Sequence, residues 1–389
     1  RFMDEMFYFN QKLTSLDLSS FDTSQVVIMM SMFYGCSSLE TIKIDKFDTS
    51  RVTNMARMFY ECKKLKSVDT SSFKTDNVDR MDSMFEKCLS LTSLDLSNWK
   101  TDKVTAMGNM FDSCSSLTKL DCSSFRTSEV ESMYDMFYNC TSLVSLDVSN
   151  FDINKVYDID HMFHGCSSLT SLNLRSFEGK KLGRMESAFK DCYKLTSLDL
   201  SNFLAEPNYA TSAFQNCYSL EYLLIPNLNL KGALFPYSLF ENCYSLKSLD
   251  LKSLKLSSAL NVNSMFRNCY SLTSINLSGL STSQISIMAS MFENCTKLES
   301  LDLSHFDTTK VTDMAYMFNN CTNLKFLNLG FNTEKVRDMQ YMFSFCTELT
   351  SLDISSFDTN ACQNYENMFL NDTELNESKI GRASCRERV

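Results

Sequence analysis

The sequence is poor in the residues that usually interrupt or diversify regular structure. Its 389 residues include nine glycines, three prolines, one tryptophan and three histidines, against 30 phenylalanines, 23 methionines and 16 cysteines. So narrow an alphabet indicates one unit copied many times rather than several unrelated domains. Hydrophobic residues make up 44% and charged residues 22% of the chain. This composition predicts a buried core and argues against intrinsic disorder.

Long apolar runs and an excess of positive charge are also missing. The apolar stretches, such as residues 26–30, are only about five residues long, far short of a membrane span. The net charge of −10 argues against nucleic acid or an anionic membrane as the main partner. The chain opens at Arg1 without an initiator methionine or signal region, so we expect an internal fragment. Residues 380–389 resemble a translated sequencing adapter and are interpreted as an artefact.

The dominant feature is a repeat of 26 residues. Aligned on its Met-Phe pair, the unit reads M-F-x-x-C-x-x-L-x-x-L-x-L-x-x-F-D-T-x-x-V-x-x-M-x-x. It predicts a single solenoid over residues 1–379, with fourteen full repeats and partial ends. The repeats start at Met6, Met32, Met58, Met84, Met110, Met136, Met162, Ala188, Ala213, Leu239, Met265, Met291, Met317 and Met342, and the last, partial one starts at Met368.

Each repeat combines two periodicities. In residues 91–96, Leu94 and Leu96 alternate with polar residues, as on a β-strand. From Val104 to Leu117 the apolar residues recur at steps of three or four, which is typical of a helix. Either Thr101 or Asp102, just before this segment, is predicted to cap it. The fold class is therefore predicted to be α/β, a leucine-rich-repeat-like solenoid. Each repeat would contribute one short parallel-sheet strand, a turn and a short helix.

The repeated unit M-F-x-x-C-S-S-L-T-S-L-D-L-S-x-F-D-T-S-x-V-T-x-M resembles the 26-residue repeat of bacterial surface proteins in the BspA-like leucine-rich-repeat group. The resemblance covers residues 3–379 and recurs in every unit. It implies a secreted or surface-anchored bacterial protein, with adhesion to host proteins or other cells as the usual role of the group. The repeat itself carries no known ligand.

Cysteine at repeat position 5 forms the most regular chemical pattern. These residues could form disulfides or a metal site, but every step of the ladder is equivalent and no C-x-x-C spacing exists. We interpret them as a structural core ladder of small buried side chains, although free thiols are unusual in an exported protein. The ladder comprises Cys36, Cys62, Cys88, Cys114, Cys140, Cys166, Cys192, Cys217, Cys243, Cys269, Cys295, Cys321 and Cys346.

An acidic column occupies position 12 and faces the solvent on the predicted strand. Its carboxylates could bind calcium, but all of them come from one column and the glycine-containing loops of calcium-binding solenoids are missing. We favour a role in keeping the sheet face soluble. The column contains Asp17, Asp69, Asp95, Asp121, Asp147, Asp199, Asp250, Asp302 and Asp353.

Residues for catalysis or cofactor binding are not evident. His161, His164 and His305 are the only histidines, and the first two could form at most a weak metal site. We interpret all three as surface substitutions, because no carboxylate recurs beside them. The chain contains no catalytic or phosphate-binding motif. We therefore expect no enzyme activity, no cofactor and no metal.

The repeats differ most between residues 203 and 262, which we name the variant block. All three prolines lie there, and the Phe-Asp-Thr turn is replaced twice. Aromatic and aliphatic residues take polar positions in and around this block, which favours a partner-binding patch, with local drift of the repeat as the alternative. The candidate binding residues are Tyr193, Tyr218, Tyr222, Leu224, Tyr244, Tyr270 and Phe326.

These observations predict a non-catalytic extracellular or cell-surface module for recognition or adhesion. The expected partner is a protein or glycan of a host or neighbouring cell. The alternative is a passive stalk or spacer that displays another domain. Because the end repeats would lack capping units, we also expect the fragment to self-associate through its ends.

Overall fold

The computed structural model describes residues 1–375, and the suspected adapter segment, residues 380–389, lies outside the described residues. The chain divides into two compact units, Arg1–Ala205 and Glu206–Val389. The prediction of a single array over residues 1–379 stays a prediction.

Both units are built from coils that pack as a parallel β-solenoid. Each strand is short because it covers only the Leu-x-Leu part of a repeat, where side chains alternate between core and solvent. In the first unit the strands are β1 (Ser15–Asp17), β2 (Thr41–Lys43), β3 (Lys119–Asp121), β4 (Ser145–Asp147) and β5 (Ser197–Asp199). In the second they are β6 (Tyr222–Leu224), β7 (Ser248–Asp250), β8 (Ser274–Asn276), β9 (Ser300–Leu303) and β10 (Phe326–Leu329).

The strand register follows the repeat length. Ser15 pairs with Thr41 and Ser248 with Ser274, in both cases in parallel and 26 residues apart. A second ladder of single parallel bridges lies half a repeat further along the chain, as between Ile28 and Asn54. A closed coil brings these two ladders to opposite sides of the core. The parallel solenoid expected from the repeat is therefore confirmed.

The predicted helix in each repeat is wrong. The described residues contain no helix, and so none that could cross a membrane. Within residues 83–88, backbone N–H groups bond alternately to the next coil and to their own coil. The N–H of Phe85 donates to the carbonyl of Met110 at 2.9 Å, whereas the N–H of Glu86 donates to Ser83 at 3.2 Å. Consecutive tight turns, not i→i−4 bonds, therefore build this segment.

Left-handed residues explain why the apolar period of three did not produce a helix. Two residues per coil have positive φ, one just before the Met-Phe pair and one just before the cysteine. Ser83 (φ 56°) and Lys87 (φ 59°) are examples in one coil. Alternation of right- and left-handed residues prevents helix propagation, since a helix needs consecutive right-handed residues. The turns still direct every third side chain inward, which produces the same sequence stripe.

Threonine at repeat position 18 joins adjacent coils from the inside. Thr101 is fully buried; its Oγ1 donates to the carbonyl of Arg126 at 2.8 Å and accepts from the N–H of the same residue at 2.7 Å. Because no helix follows Thr101, its predicted capping role is wrong. The same hydroxyl contact to the next coil is made by Thr23, Thr49, Thr75, Thr127, Thr282, Thr308 and Thr333.

Stacked aromatic rings fill the core of both units. Phe59 and Phe85 lie 5.4 Å apart between ring centroids with planes 3° apart, and Phe240 and Phe266 lie 5.6 Å apart. Trp99, the only tryptophan, is buried in a second column beside Phe73 and Phe125. Offset stacking of this kind adds to the burial of apolar area, so the aromatic ladders hold neighbouring coils in register.

Candidate functional site

The variant block is where the surface becomes most apolar. Of the 22 large hydrophobic side chains that are exposed among residues 1–375, eight lie between Leu204 and Leu260. On the strand, where most regular coils carry serine and aspartate, the variant block carries Tyr222 and Leu224. An exposed apolar concentration of this kind is typical of an interaction surface.

Two of the candidate residues lie on the exposed face of β6. Tyr222 and Leu224 are each 56% exposed, on either side of the buried Leu223. The ammonium of Lys247 lies 5.0 Å from the ring centroid of Tyr222 and 3.2 Å from its hydroxyl, while it also pairs with Glu221. These contacts orient the ring without covering the face of the strand.

Phe326 lies on the same face of β10. It is 67% exposed, equal to the highest value among the exposed large hydrophobic side chains. The strands from β6 to β10 each point their first and third residues to the solvent. Phe326 and Tyr222 therefore occupy equivalent positions, four coils apart.

The tyrosines at repeat position 6 make different contacts from those of Tyr222 and Phe326. Tyr218 and Tyr244 stack with ring centroids 4.6 Å apart and planes 4° apart, whereas the ring of Tyr270 lies 5.1 Å from that of Tyr244 and is tilted by 36°. The facing sides of Tyr218 and Tyr244 are thus used within the column. Tyr193, which belongs to the first unit, is exposed. The predicted tyrosine ladder exists within the second unit, but it offers ring edges and hydroxyls rather than open faces.

A ladder of asparagine amides runs beside the tyrosines and was missed by the sequence analysis. The side-chain amide of Asn242 donates to Asn216 Oδ1 at 2.6 Å, Asn268 donates to Asn242 at 2.6 Å, and the pattern continues through Asn294 to Asn320. These residues have φ between 59° and 64°, a conformation that asparagine tolerates well. Asparagine before the cysteine in five consecutive repeats was the available signal.

A second exposed apolar group lies on the opposite side of the coil and was also missed. It surrounds Phe235, whose carbonyl accepts from the hydroxyl of Thr211. Single residues of this group resemble scatter in the sequence, because they fall at three different repeat positions. The group, which we name the turn-side patch, comprises Tyr209, Leu234, Phe235, Tyr237 and Leu260.

All thirteen cysteines of the ladder are buried. The thiol of Cys88 lies 3.2 Å from the carbonyl of Phe59 in the preceding coil, and Cys243 makes the same contact with Phe214 at 3.2 Å. Burial raises the pKa of Cys166 and Cys269 to about 12, which keeps these thiols protonated and unreactive. The contact recurs at Cys36, Cys62, Cys114, Cys140, Cys166, Cys192, Cys269, Cys295, Cys321 and Cys346.

The aspartates at position 12 close turns at the ends of the strands. Oδ1 of Asp95 accepts from the N–H of Ser97 at 2.9 Å, and Asp302 accepts from Ser304 at 3.0 Å. Hydrogen bonds from Ser19, together with Lys43, lower the pKa of Asp17 to about 2. Among residues 1–375, no group of three acidic, histidine or cysteine residues is placed to hold a metal. The column therefore has a local structural use that the spacing alone did not reveal.

The histidines lie beside carboxylates. Nδ1 of His161 is 3.4 Å from Asp135, and Nε2 of His164 is 3.2 Å from Asp191. The hydrogen bond with Asp135 raises the pKa of His161. His305 lies 3.0 Å from the carbonyl of Leu277. We expected no carboxylate beside the histidines, and this expectation is wrong for His161 and His164.

Comparison with protein-family models identifies the family of the chain. Models of the family described as "Mycoplasma protein of unknown function, DUF285" match residues 1–120, 61–169, 90–203, 117–225, 236–329 and 302–383. Together these matches span most of the sequence, and the chain belongs to this family. The recognition of a BspA-like bacterial repeat protein from its 26-residue unit is thereby confirmed.

Several solved structures are similar to the chain. A leucine-rich repeat protein from Bacteroides ovatus is 20% identical with a TM-score of 0.46, and the match covers 92% of this chain and 85% of that one. A leucine-rich cell surface protein from Faecalibacterium prausnitzii is 17% identical with a TM-score of 0.36, covering 96% and 80%. A leucine-rich repeat protein from Eubacterium ventriosum is 11% identical with a TM-score of 0.34, covering 93% and 84%. No protein with a curated description matches.

Proposed function

We propose that this chain is a non-catalytic recognition module that binds a protein or glycan at a cell surface, through the variant block. The observation that carries the proposal is the concentration of exposed apolar side chains in the coils of the variant block. Exposed apolar side chains concentrated on one part of a scaffold are expected where it presents a binding surface. An extracellular or cell-surface location is part of the same proposal.

The second candidate function is a spacer that displays another domain. It is favoured by the coils of the first unit between Thr23 and Thr127, where the same buried hydroxyl contact recurs without change. Uniform coils suit a load-bearing or spacing role, since each contacts only its neighbours. The two functions differ in one respect, because a spacer does not depend on the exposed residues of the variant block.

The test restores the variant block to the regular pattern. Tyr222→Ser, Leu224→Asp, Phe235→Asn and Tyr237→Asn each introduce the residue that the next coil carries at the same position. The combined variant is therefore expected to fold. A matched control changes exposed residues of the first unit, Tyr134→Asp and Val144→Thr, by the same rule.

Binding of the purified chain to bacterial and host cells, and to extracellular-matrix proteins, would be measured by surface capture. We expect the combined variant to bind at least about tenfold more weakly, because apolar anchors dominate interface energies. The control should bind like the unaltered chain. Equal binding by the combined variant would reject the variant block as the recognition surface and favour the spacer.

A further inference from the structure

The exposed face of strands β6 to β10 forms a bounded strip in the second unit. Its two ends are apolar, with Tyr222 and Leu224 at one end and Phe326 at the other. The three coils between them carry only small polar residues on this face. We name these ten positions the sheet-face strip: Tyr222, Leu224, Ser248, Asp250, Ser274, Asn276, Ser300, Asp302, Phe326 and Asn328.

The length of the strip is set by the coil spacing. Tyr222 and Phe326 are four coils apart, so at the usual strand separation they lie about 19 Å from each other. The middle strands are regularly placed, since Ser248 pairs with Ser274 and Ser300 with Phe326 in parallel register. Two aromatic side chains at this separation can contact the two ends of one extended ligand.

The middle of the strip offers the same hydrogen-bonding groups on every coil. Each coil presents one serine hydroxyl and one carboxylate or amide. Oδ1 of Asp250, Asn276 and Asp302 accepts a backbone N–H from its own turn, at 3.1, 3.2 and 3.0 Å. The second polar atom of Asn276 and Asp302 is thereby held on the exposed strand face, whereas Oδ2 of Asp250 lies 3.7 Å from the ammonium of Lys252. A ligand that satisfies these groups must itself repeat at about the strand separation of 4.8 Å and carry hydroxyls.

The charge of the strip excludes anionic ligands. Asp302 adds negative charge, Asp250 is paired with Lys252 at 3.7 Å, and Lys247 and Lys325 are paired with Glu221 and Glu299. A sulfated or carboxylated chain would be repelled. An extended peptide is also disfavoured, because it binds mainly through main-chain hydrogen bonds at a sheet edge. The backbone groups of β7 pair with those of β8, and those of β9 pair with those of β10.

The geometry points to a neutral, β-linked oligosaccharide that lies along the sheet-face strip, with about one sugar ring per coil and the aromatic residues at its ends. This assignment rests on the proposed recognition function and names its ligand class. Sugar hydroxyls donate to the carboxylates and accept from serine and asparagine, while the C–H faces of the terminal rings pack on Tyr222 and Phe326. Lys247 supports this role because it fixes the tyrosine ring.

Calorimetric titration with neutral β-1,4-linked oligosaccharides tests the assignment. The probes are gluco-, manno- and N-acetylglucosamine series of one to six sugars. We expect affinity in at least one series to rise with length and to level off at about five sugars, when the strip of five coils is filled. A sulfated oligosaccharide of the same length should bind more weakly.

Variants locate the site. Tyr222→Ser and Phe326→Ser introduce the serine of neighbouring strands, and each should weaken pentasaccharide binding at least about tenfold by removing an aromatic contact. Each should also remove the gain from the last one or two sugars. Tyr134→Asp, an exposed residue of the first unit, is the control and should leave pentasaccharide binding unchanged. Circular dichroism would confirm that all three variants fold.

The outcomes separate this assignment from the broader function. Absence of binding to every neutral series, or binding that both serine variants leave unchanged, would overturn the oligosaccharide site. Recognition would still stand if cells stripped of glycans by glycosidases were captured and the combined variant of the variant block reduced that capture. Failure of both cell capture and oligosaccharide binding would reject the two proposals together.

Discussion

The coils of the first unit from Thr23 to Thr127 and those of the second unit from Leu228 to Leu256 follow the same kind of path with different interior contacts. The first set joins its coils through buried threonine hydroxyls. The second set carries buried Leu230 and Leu256 at the same repeat position, and adds asparagine amides near the cysteines. One ladder can thus be exchanged for another, provided that the aromatic stack is retained.

The exchange also explains why the surface can vary in the second set. A threonine that bonds to the next coil requires that its neighbours keep a fixed turn, as between Thr101 and Arg126. Leucine at this position packs without directional hydrogen bonds. The adjoining residues therefore need not follow the Asp-Thr sequence pattern. Exposed residues such as Phe235 and Tyr237 follow shortly after Leu230 in the same coil.

The test with the largest expected effect removes one aromatic ring from each set of coils. Phe111 lies 5.9 and 5.7 Å from Phe85 and Phe137, and Phe240 lies 5.5 and 5.6 Å from its two neighbours. Phe111→Ala and Phe240→Ala should each lower the free energy of unfolding by about 3–5 kcal/mol. Urea unfolding followed by circular dichroism measures both. A much smaller loss for Phe240→Ala would mean that the variant coils do not share the core of the regular ones.

The next test removes one threonine hydroxyl. Thr101→Val leaves both the N–H and the carbonyl of Arg126 without their buried partner, so stability should fall by about 2–3 kcal/mol. Trp99 fluorescence reports on the surrounding coils, since this residue is buried in the first unit. Thr101→Ser serves as the control because it keeps the hydroxyl. Equal stability of the valine and serine variants would show that the hydroxyl contact contributes little.

A buried carboxyl predicts a pH dependence in the regular coils. Burial raises the pKa of Asp112 to about 6, so the folded chain binds its proton more tightly than the unfolded chain does. Its contribution to stability is therefore present below about pH 4 and is lost as pH rises through about 6, by about 2–3 kcal/mol. The variant coil has Gln215 at the equivalent position.

Asp112→Asn should remove this loss and make the chain more stable at pH 7 than the unaltered protein. Urea unfolding at pH 4, 5, 6 and 7 measures the effect, with Asp95→Asn as an exposed control. If the two chains keep a constant stability difference across this range, Asp112 does not titrate as described.

The smallest effect concerns the asparagine ladder. Asn268 combines a φ of 61° with amide bonds to Asn242 and Asn294. Asn268→Gly keeps the conformation and loses the amides, which should cost about 1 kcal/mol. Asn268→Ala loses the amides and also strains the left-handed residue, so it should unfold at a lower urea concentration than the glycine variant. The reverse order would show that the left-handed conformation does not limit stability at this position.

The sequence was sufficient to predict the repeat, the strand in Leu-x-Leu and the burial of the cysteines, because few folds are compatible with a unit that recurs strictly every 26 residues. It was misleading for the segment after Val104, because a period of three fits both a helix and a series of turns. The left-handed positions held the distinguishing signal. Gly35, Gly165 and the asparagines before cysteine have positive φ angles. Consecutive residues of an α-helix do not adopt such angles. The stacking of Tyr218 on Tyr244 depended on ring orientation, which spacing does not specify.

Threonine, asparagine and cysteine contacts all reach residues one repeat away and no farther. Insertion or removal of a whole repeat therefore recreates, at the new junction, the contacts that existed before. Recombination between gene copies can lengthen or shorten such a protein by whole coils without a new folding problem. A change of a few residues within a coil, by contrast, must be absorbed by its turns.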